Sequence, residues 1–297
     1  MMDKDRNNYW HMRTPYDTSV VIRSYHEELS LGNLFQFYAN TLVGANIAGA
    51  LVHSMDVNPL RLLAKVTDMS LHQVSPEPSA KSLYAGISTV LLRGFLFNSL
   101  RVTLYDVFRR QFFYMDATNE EMISIPGALV SGSIAGCIAQ ALYYPLDHLH
   151  REASSWTSAI KTLQSKSLWH AMPLSCTQAC LLTLGDVAAY DLSKQVLRKQ
   201  LQLPENLTLH LPAALFAGLA ASLLSHPVEV MRLHLLQQPL NERGKRSVEY
   251  LLKFMQEEGS LKLYKGFLPA CLRSSSWSVI FWLCVEQLRE WEGQRGF

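Results

Sequence analysis

The sequence of 297 residues predicts an all-α membrane protein of six transmembrane helices, set as three pseudo-symmetric two-helix repeats around a central cavity. Three observations predict it. Residues 31–55, 122–146 and 206–228 contain no Asp, Glu, Lys or Arg, and each run is long enough to cross a hydrocarbon core of about 30 Å as a helix. Each run closes on a related cluster: Ser54-Met55-Asp56-Val57-Asn58-Pro59, Tyr144-Pro145-Leu146-Asp147-His148-Leu149-His150 and Ser225-His226-Pro227-Val228-Glu229-Val230-Met231-Arg232. Their carboxylates, Asp56, Asp147 and Glu229, recur at nearly equal intervals, which marks an internal repeat. Between the runs lies a second recurring signature: Tyr105-Asp106-Val107-Phe108-Arg109, Tyr190-Asp191-Leu192-Ser193-Lys194 and Val285-Glu286-Gln287-Leu288-Arg289.

Composition alone leans the other way. Hydrophobic content is 48% and mean hydropathy only +0.04, values near a soluble average. A low average combined with long uncharged runs fits helices that are apolar outside and polar inside, around water. A net charge of +2 makes no case for a nucleic-acid partner. The five cysteines, Cys137, Cys176, Cys180, Cys271 and Cys284, form no C-x-x-C pair, so no zinc site or disulfide framework is indicated and no metal or cofactor is expected. Residues 1–30 are polar and mixed in charge. They lack the apolar core of a signal peptide and the acid-poor character of a transit peptide, so targeting information is expected to be internal.

The chain divides into a flexible tail at 1–30 and repeats at 31–115, 116–200 and 201–297. Helix one is expected at 31–56, with Gly44-x-x-x-Ala48 and Ala45-x-x-x-Gly49 spaced for close approach in lipid. Ser75-Pro76-Glu77-Pro78-Ser79 breaks the connection to an amphipathic helix two at 82–110. Helix three is expected at 122–150, with Gly132-x-x-x-Gly136, and a short surface helix at 156–163. Helix four follows at 168–198, and helix five is the third uncharged run with its closing cluster. Another short amphipathic helix at 248–258 stops at Gly259, and helix six closes the series at 263–291. A proline inside a helix removes one backbone hydrogen bond and bends the axis. Glu229 and Arg232, at i and i+3, share a helix face.

Twelve residues before the first member of each even-helix signature stand Arg93, Gln178 and Arg273. Twelve residues are about 18 Å of helix, so these three share one depth, predicted near mid-membrane. Four residues before stand Arg101, Asp186 and Phe281. A cation at mid-bilayer is costly without a partner or a wet cavity, so Arg93 and Arg273 are read as cavity residues. His53, His148, His150 and His226 lie at similar depth. They adjoin or replace the clusters that close the runs and are read as gate or packing residues, not as metal ligands.

Pro-x-[Asp/Glu]-x-x-[Lys/Arg] on odd helices, with [Phe/Tyr]-[Asp/Glu]-x-x-[Arg/Lys] on even ones, resembles the mitochondrial carrier family over residues 31–291. The third repeat is nearest to the pattern, with Pro227-x-Glu229-x-x-Arg232, Glu258-Gly259 and Tyr264-Lys265-Gly266. The stretch from Phe267 to Arg289, Gly185-Asp186 with Tyr190-Asp191, and Arg93 with Arg101 are similar to the uncoupling-protein branch, particularly its brain-type members. That branch lies beside the dicarboxylate and oxoglutarate carriers. The resemblance implies a six-helix barrel in the inner mitochondrial membrane, multi-pass and monomeric, that exposes a central site alternately to cytosol and matrix. It implies a transporter and no enzyme.

The resemblance also assigns roles. The cytosolic gate comprises Asp106, Asp191 and Glu286 with Arg109, Lys194 and Arg289, and it is complete. The matrix gate keeps Asp56, Asp147, Glu229 and Arg232, but Pro59 and His150 stand where the other two bases belong, and Ser54 replaces the first proline. If each pair contributes about 1 kcal/mol, that loss lowers the matrix-closed population a few-fold to tens-fold. His150 restores a pair when protonated. The substrate site comprises Arg93, Arg101, Gln178, Asp186 and Arg273; the branch has arginine where Gln178 stands. The set is net cationic and suits a small carboxylate or phosphate better than a highly charged nucleotide or citrate. The lipid turns read Tyr84-Ala85-Gly86, Trp169-His170-Ala171 and Tyr264-Lys265-Gly266, so only Tyr264, Lys265 and Gly266 keep the pattern that holds cardiolipin. The expected function is therefore a small-anion carrier, dicarboxylate-like or phosphate-like, with uncoupling-type proton leak. The alternative is a carrier-derived membrane adaptor or insertase that no longer transports.

Overall fold

The structure is a computed structural model that describes residues 31–66, 87–115, 121–152, 166–201, 207–237, 263–264 and 266–292. The tail, the short helices expected at 156–163 and 248–258, and Lys265 lie outside the described residues. So do the side chains of Asp56, Pro59, Asp147 and His150.

Six helical rods follow in order. α1 is Leu31–Val66. α2 joins Ile87–Arg93 to Ser99–Arg109 through a π turn at Gly94–Asn98 and finishes in a 3-10 turn at Arg110–Phe112. α3 is Ile125–Glu152. α4 joins Lys166–Thr183 to Ala189–Leu201 through a second π turn at Leu184–Ala188. α5 is Leu207–Gln237 and α6 is Phe267–Trp291.

Two helix starts differ from expectation. The third was expected at Met122, but Glu121–Ile123 forms β2, which pairs antiparallel with β1, Phe113–Met115. The helix begins only after Ser124, whose Oγ accepts from the Gly127 N–H at 3.2 Å. That is a serine cap, and an uncharged run does not register it. The sixth was expected from Leu263. It starts at Phe267 because Gly266 takes φ 79°, a left-handed conformation open chiefly to glycine.

The packing is cyclic. Each rod contacts the next in sequence, and α6 returns to contact α1. The ring is apolar outside. On α3, Val130, Ile134, Ile138, Leu142 and Leu146 are all exposed at four-residue spacing; Leu211, Leu215, Leu219 and Leu223 repeat this on α5, and Val43, Ile47 and Leu51 on α1. Stripes of this length belong in lipid. By length and composition α2, α3, α5 and α6 are apolar enough to cross a membrane. α1 and α4 carry more polar residues, such as Asn40, Thr41 and Asn46 on α1 and Ser175 and Gln178 on α4.

Helix–helix contacts rest on small residues, as lipid-embedded bundles require. Ala128, Ala135 and Ala139 on α3 and Ala213, Ala214, Ala217 and Ala221 on α5 are buried. The closest approaches need glycine. A side chain at Gly136 would stand 2.6 Å from the Ala179 carbonyl oxygen of α4, and one at Gly218 would run into the Ser275 backbone of α6.

Candidate functional site

In the ring, α2, α4 and α6 are separated by α3, α5 and α1. Direct contacts among the even rods therefore cross the interior. At one end they form a buried ionic lattice. Arg109 on α2 donates to Asp106 of its own helix and to Asp191 on α4, both at 3.0 Å. Lys194 on α4 pairs with Glu286 on α6 at 3.0 Å. Arg289 lies close enough to Asp106 and Glu286 for their charges to act on one another, and its guanidinium sits 4.9 Å from the centre of the Phe37 ring on α1. All six expected gate residues are thus at one level and buried.

Sequence reasoning missed several members of this lattice. The Tyr105 hydroxyl donates to Asp191 at 3.0 Å and the Tyr190 hydroxyl to Glu286 at 2.9 Å, so the first residue of two of the three signatures braces the carboxylate of the next even rod. Arg110 adds a fourth base, donating to Asp106 at 2.6 Å. His210 on α5 places Nδ1 2.9 Å from the Tyr190 hydroxyl and 3.7 Å from Glu286. The aromatic residue heading two of the signatures was the available signal for the braces. Nothing in sequence distance points to His210.

One turn inward the even rods meet again. Arg101 on α2 and Asp186 on α4 form an ion pair with side chains only 1% and 3% exposed. The Ser278 hydroxyl and the Trp282 indole N–H of α6 also donate to Asp186, at 3.0 and 3.3 Å. Local structure explains the reach. Asp186 sits inside the π turn of α4, where the extra residue per turn turns a side chain away from the helix's regular face; such turns cluster at functional sites. Around the pair, Tyr190 stacks on Trp282 at 3.8 Å, and Arg101 lies 5.7 and 5.5 Å from the centres of the Phe97 and Trp277 rings. From this layer to the ionic lattice the side chains of Arg101, Tyr105, Asp186, Tyr190 and Trp282 are buried.

The other three expected site residues are elsewhere. Arg273 lies in the second turn of α6 and Arg93 at the end of the first α-helical segment of α2. It is Arg101, Asp186 and Ser278 that lie near the helix centres. Arg273 faces Glu229 on α5 at 3.7 Å, with side chains 39% and 31% exposed. Arg232 on α5 donates to the Gln178 carboxamide oxygen on α4 at 3.0 Å. Arg93 has its guanidinium 5.0 Å from the Phe97 ring centre. Two residues assigned to the matrix gate, Glu229 and Arg232, thus contact two assigned to the substrate site. The reason is packing: α5 lies between α4 and α6, and i, i+3 spacing lets it reach both neighbours.

At this same end Gly266 opens α6, and the Tyr264 hydroxyl donates to the Leu223 carbonyl at 3.3 Å. His226 is buried beside the rings of Tyr264 and Phe267, at 6.3 and 5.8 Å between ring centres, a packing position.

Comparison with known proteins supplies the family. The mitochondrial carrier protein family matches residues 204–295, which is the third repeat, the one nearest the motif pattern. The chain is 39% identical to mitochondrial uncoupling protein 4C of Drosophila melanogaster, with all of both chains covered. It is 25% identical to mitochondrial uncoupling protein 3 of Arabidopsis thaliana, over 76% of this chain and 80% of that protein. It is 28% identical to the mitochondrial substrate carrier family protein ucpB of Dictyostelium discoideum, over 71% of this chain and 77% of that one. A full-length match, a closed ring of six rods and an ionic lattice built from the repeated signatures converge: this chain belongs to the mitochondrial carrier family, in its uncoupling-protein branch, as a multi-pass protein of the mitochondrial inner membrane.

Proposed function

We propose that this carrier moves a small anion, a dicarboxylate or phosphate, by alternating access, with proton leak as an accompanying flux. One observation carries the reading. The even rods are tied across the ring by Arg109–Asp191 and Lys194–Glu286, while Arg273 and Glu229 beyond the buried stretch stay partly exposed. A molecule closed at one end, with a cation accessible from the other, is one half of an alternating-access cycle. Guanidinium groups suit carboxylate and phosphate because they present paired donors in a plane. Matrix-side Arg273 and Arg232, with Glu229 between them in charge terms, favour a small anion over a polyanion.

The carrier acts as a monomer, and cardiolipin docks at Tyr264, Lys265 and Gly266 in the same proposal. The left-handed Gly266 at the start of α6 supports the lipid site, since the first N–H groups of a helix have no intrahelical acceptor and suit an anionic headgroup.

The experiment is uptake by proteoliposomes, screened over small carboxylates, phosphate and protons. Arg273→Ala is expected to abolish anion uptake while the purified protein keeps its thermal unfolding transition. Normal uptake by that variant would remove Arg273 from the site. A parent protein that moves none of the screened solutes would favour the second reading, a retired carrier acting as an adaptor, for which Pro59 and His150 at base positions of the matrix gate speak.

A further inference from the structure

We propose that Arg232 is an anion-binding residue of the transport site, held there by Gln178, in addition to serving as a closing base of the matrix gate. The inference rests on the anion-carrier reading above and deepens it, by giving Arg232 and Gln178 distinct roles at that site.

The geometry is a polar chain across three neighbouring rods. Gln178 on α4 is 8% exposed, and its carboxamide oxygen accepts from Arg232 Nη1 at 3.0 Å. One turn earlier on α5, Glu229 faces Arg273 of α6. Arg232 therefore does not spend its charge on the carboxylate three residues before it. Among the described residues its hydrogen-bond partner is a neutral amide, which orients the guanidinium without neutralising it. A guanidinium has five N–H donors, and the amide oxygen engages one group of them. The remaining donors are available to a ligand on the same level as Arg273.

Charge explains what a glutamine does here. A cation at position 178 would repel Arg232 at this distance, and a carboxylate there would neutralise it. A buried amide does neither. It is also too short of donors and charge to bind a divalent anion alone. Gln178 is accordingly a positioning residue, and Arg232 is the group that touches the ligand. Within this chain of described contacts Arg232, Arg273 and Glu229 carry one net positive charge, which favours a mono- or dianion with two acceptor oxygens over a polyanion. When the matrix side closes, Arg232 leaves Gln178 for the closing ring, so that release of the ligand and closure of the gate use the same cation.

The test uses purified full-length carrier, with succinate, malate and inorganic phosphate as probes, read by uptake in proteoliposomes and by the ligand-induced rise in thermal unfolding temperature. Arg232→Gln is expected to raise the KM for the best probe about tenfold or more, the loss of one charge-assisted contact. Gln178→Leu should raise KM several-fold with kcat little changed, since the cation remains but is no longer oriented. The deciding variant is the exchange Gln178→Arg with Arg232→Gln, which returns a cation to the same locus from the other helix. It should recover most of the affinity. Unliganded unfolding temperatures separate binding loss from misfolding, and Arg232→Lys provides a folded cation of different geometry with intermediate affinity. An Arg232→Gln protein with the parent's KM and only an altered kcat would overturn the proposal, as would an exchange variant no better than Arg232→Gln. A parent that neither takes up nor is stabilised by any probe would overturn the anion-carrier reading itself, and this inference with it.

Discussion

Asp186 shows how one side chain commits the interior. Its carboxylate takes Arg101 from α2 and both Ser278 and Trp282 from α6, so three rods that are not ring neighbours meet at one group. Removing one member of a buried pair leaves an uncompensated charge, at a cost of about 3–5 kcal/mol, whereas replacing both with apolar groups is often neutral. Asp186→Ala is therefore expected to lower the unfolding temperature of the purified carrier sharply. The double variant Arg101→Met, Asp186→Leu should recover most of the loss. A double variant as unstable as the single one would show that the pair's value lies in its specific geometry. At this scale the sequence is informative about chemistry and poor about partners. Residue spacing puts Arg101 and Asp186 at matching positions and the family resemblance puts them in the substrate site, but a sequence does not show that a π turn aims one at the other.

Among whole helices, the governing constraint is how near two axes can come. Gly218 and Gly49 make the contrast. At Gly218 a Cβ would meet the Ser275 backbone, which cannot move without shifting α6; at Gly49 it would meet only the Val90 Cγ1, at 2.9 Å. Gly218→Ala should cost about 1–3 kcal/mol or more, as overpacked cores do, and reduce the yield of folded protein. Gly49→Ala should be tolerated, because Val90 can change rotamer. Comparable unfolding temperatures for the two variants would contradict the α5–α6 approach. Small-residue spacing makes Gly44, Gly49, Gly132 and Gly136 legible in the sequence, and all four do lie at contacts with a neighbouring rod. Gly185 and Gly218 have the same spacing in Gly185-x-x-x-Ala189 and Ala214-x-x-x-Gly218, but spacing does not tell that they meet backbone where Gly49 meets only a side chain.

The whole molecule is asymmetric between its two ends. The lattice of even rods has four bases, Arg109, Arg110, Lys194 and Arg289, for three carboxylates, Asp106, Asp191 and Glu286. The matrix ring has three carboxylates and one arginine, with Pro59 and His150 at the other two positions. In the proposed cycle, carboxylates that close on one another without bases would repel, making the matrix-closed state the weaker. At a matrix pH above 7 a histidine with a reference pKa of about 6.5 is mostly neutral and adds little. Replacing Pro59 and His150 with lysine should add about 1 kcal/mol per restored pair and slow exchange in proteoliposomes a few-fold to tens-fold. Equal or faster exchange would show that the missing bases do not control that gate, and a carrier without a cycle would show no transport phenotype at all.

Repetition along the chain is enough to determine the class of fold, the number of rods, the family and the six repeated charged residues of the closing lattice. Those properties are periodic, and helical rise converts residue counts into levels, so counting alone sets Arg109, Lys194 and Arg289 at one height. Contacts across the ring obey no such rule. That Tyr190 braces Glu286, that His210 joins them from α5, and that Arg232 turns to Gln178 while Glu229 turns to Arg273 depends on which rods are neighbours and how each is rotated about its axis. Rotation is set by where small residues allow backbones to touch and where a π turn inserts an extra residue. Only the tertiary structure decides these, because the energy of each contact belongs to two helices at once.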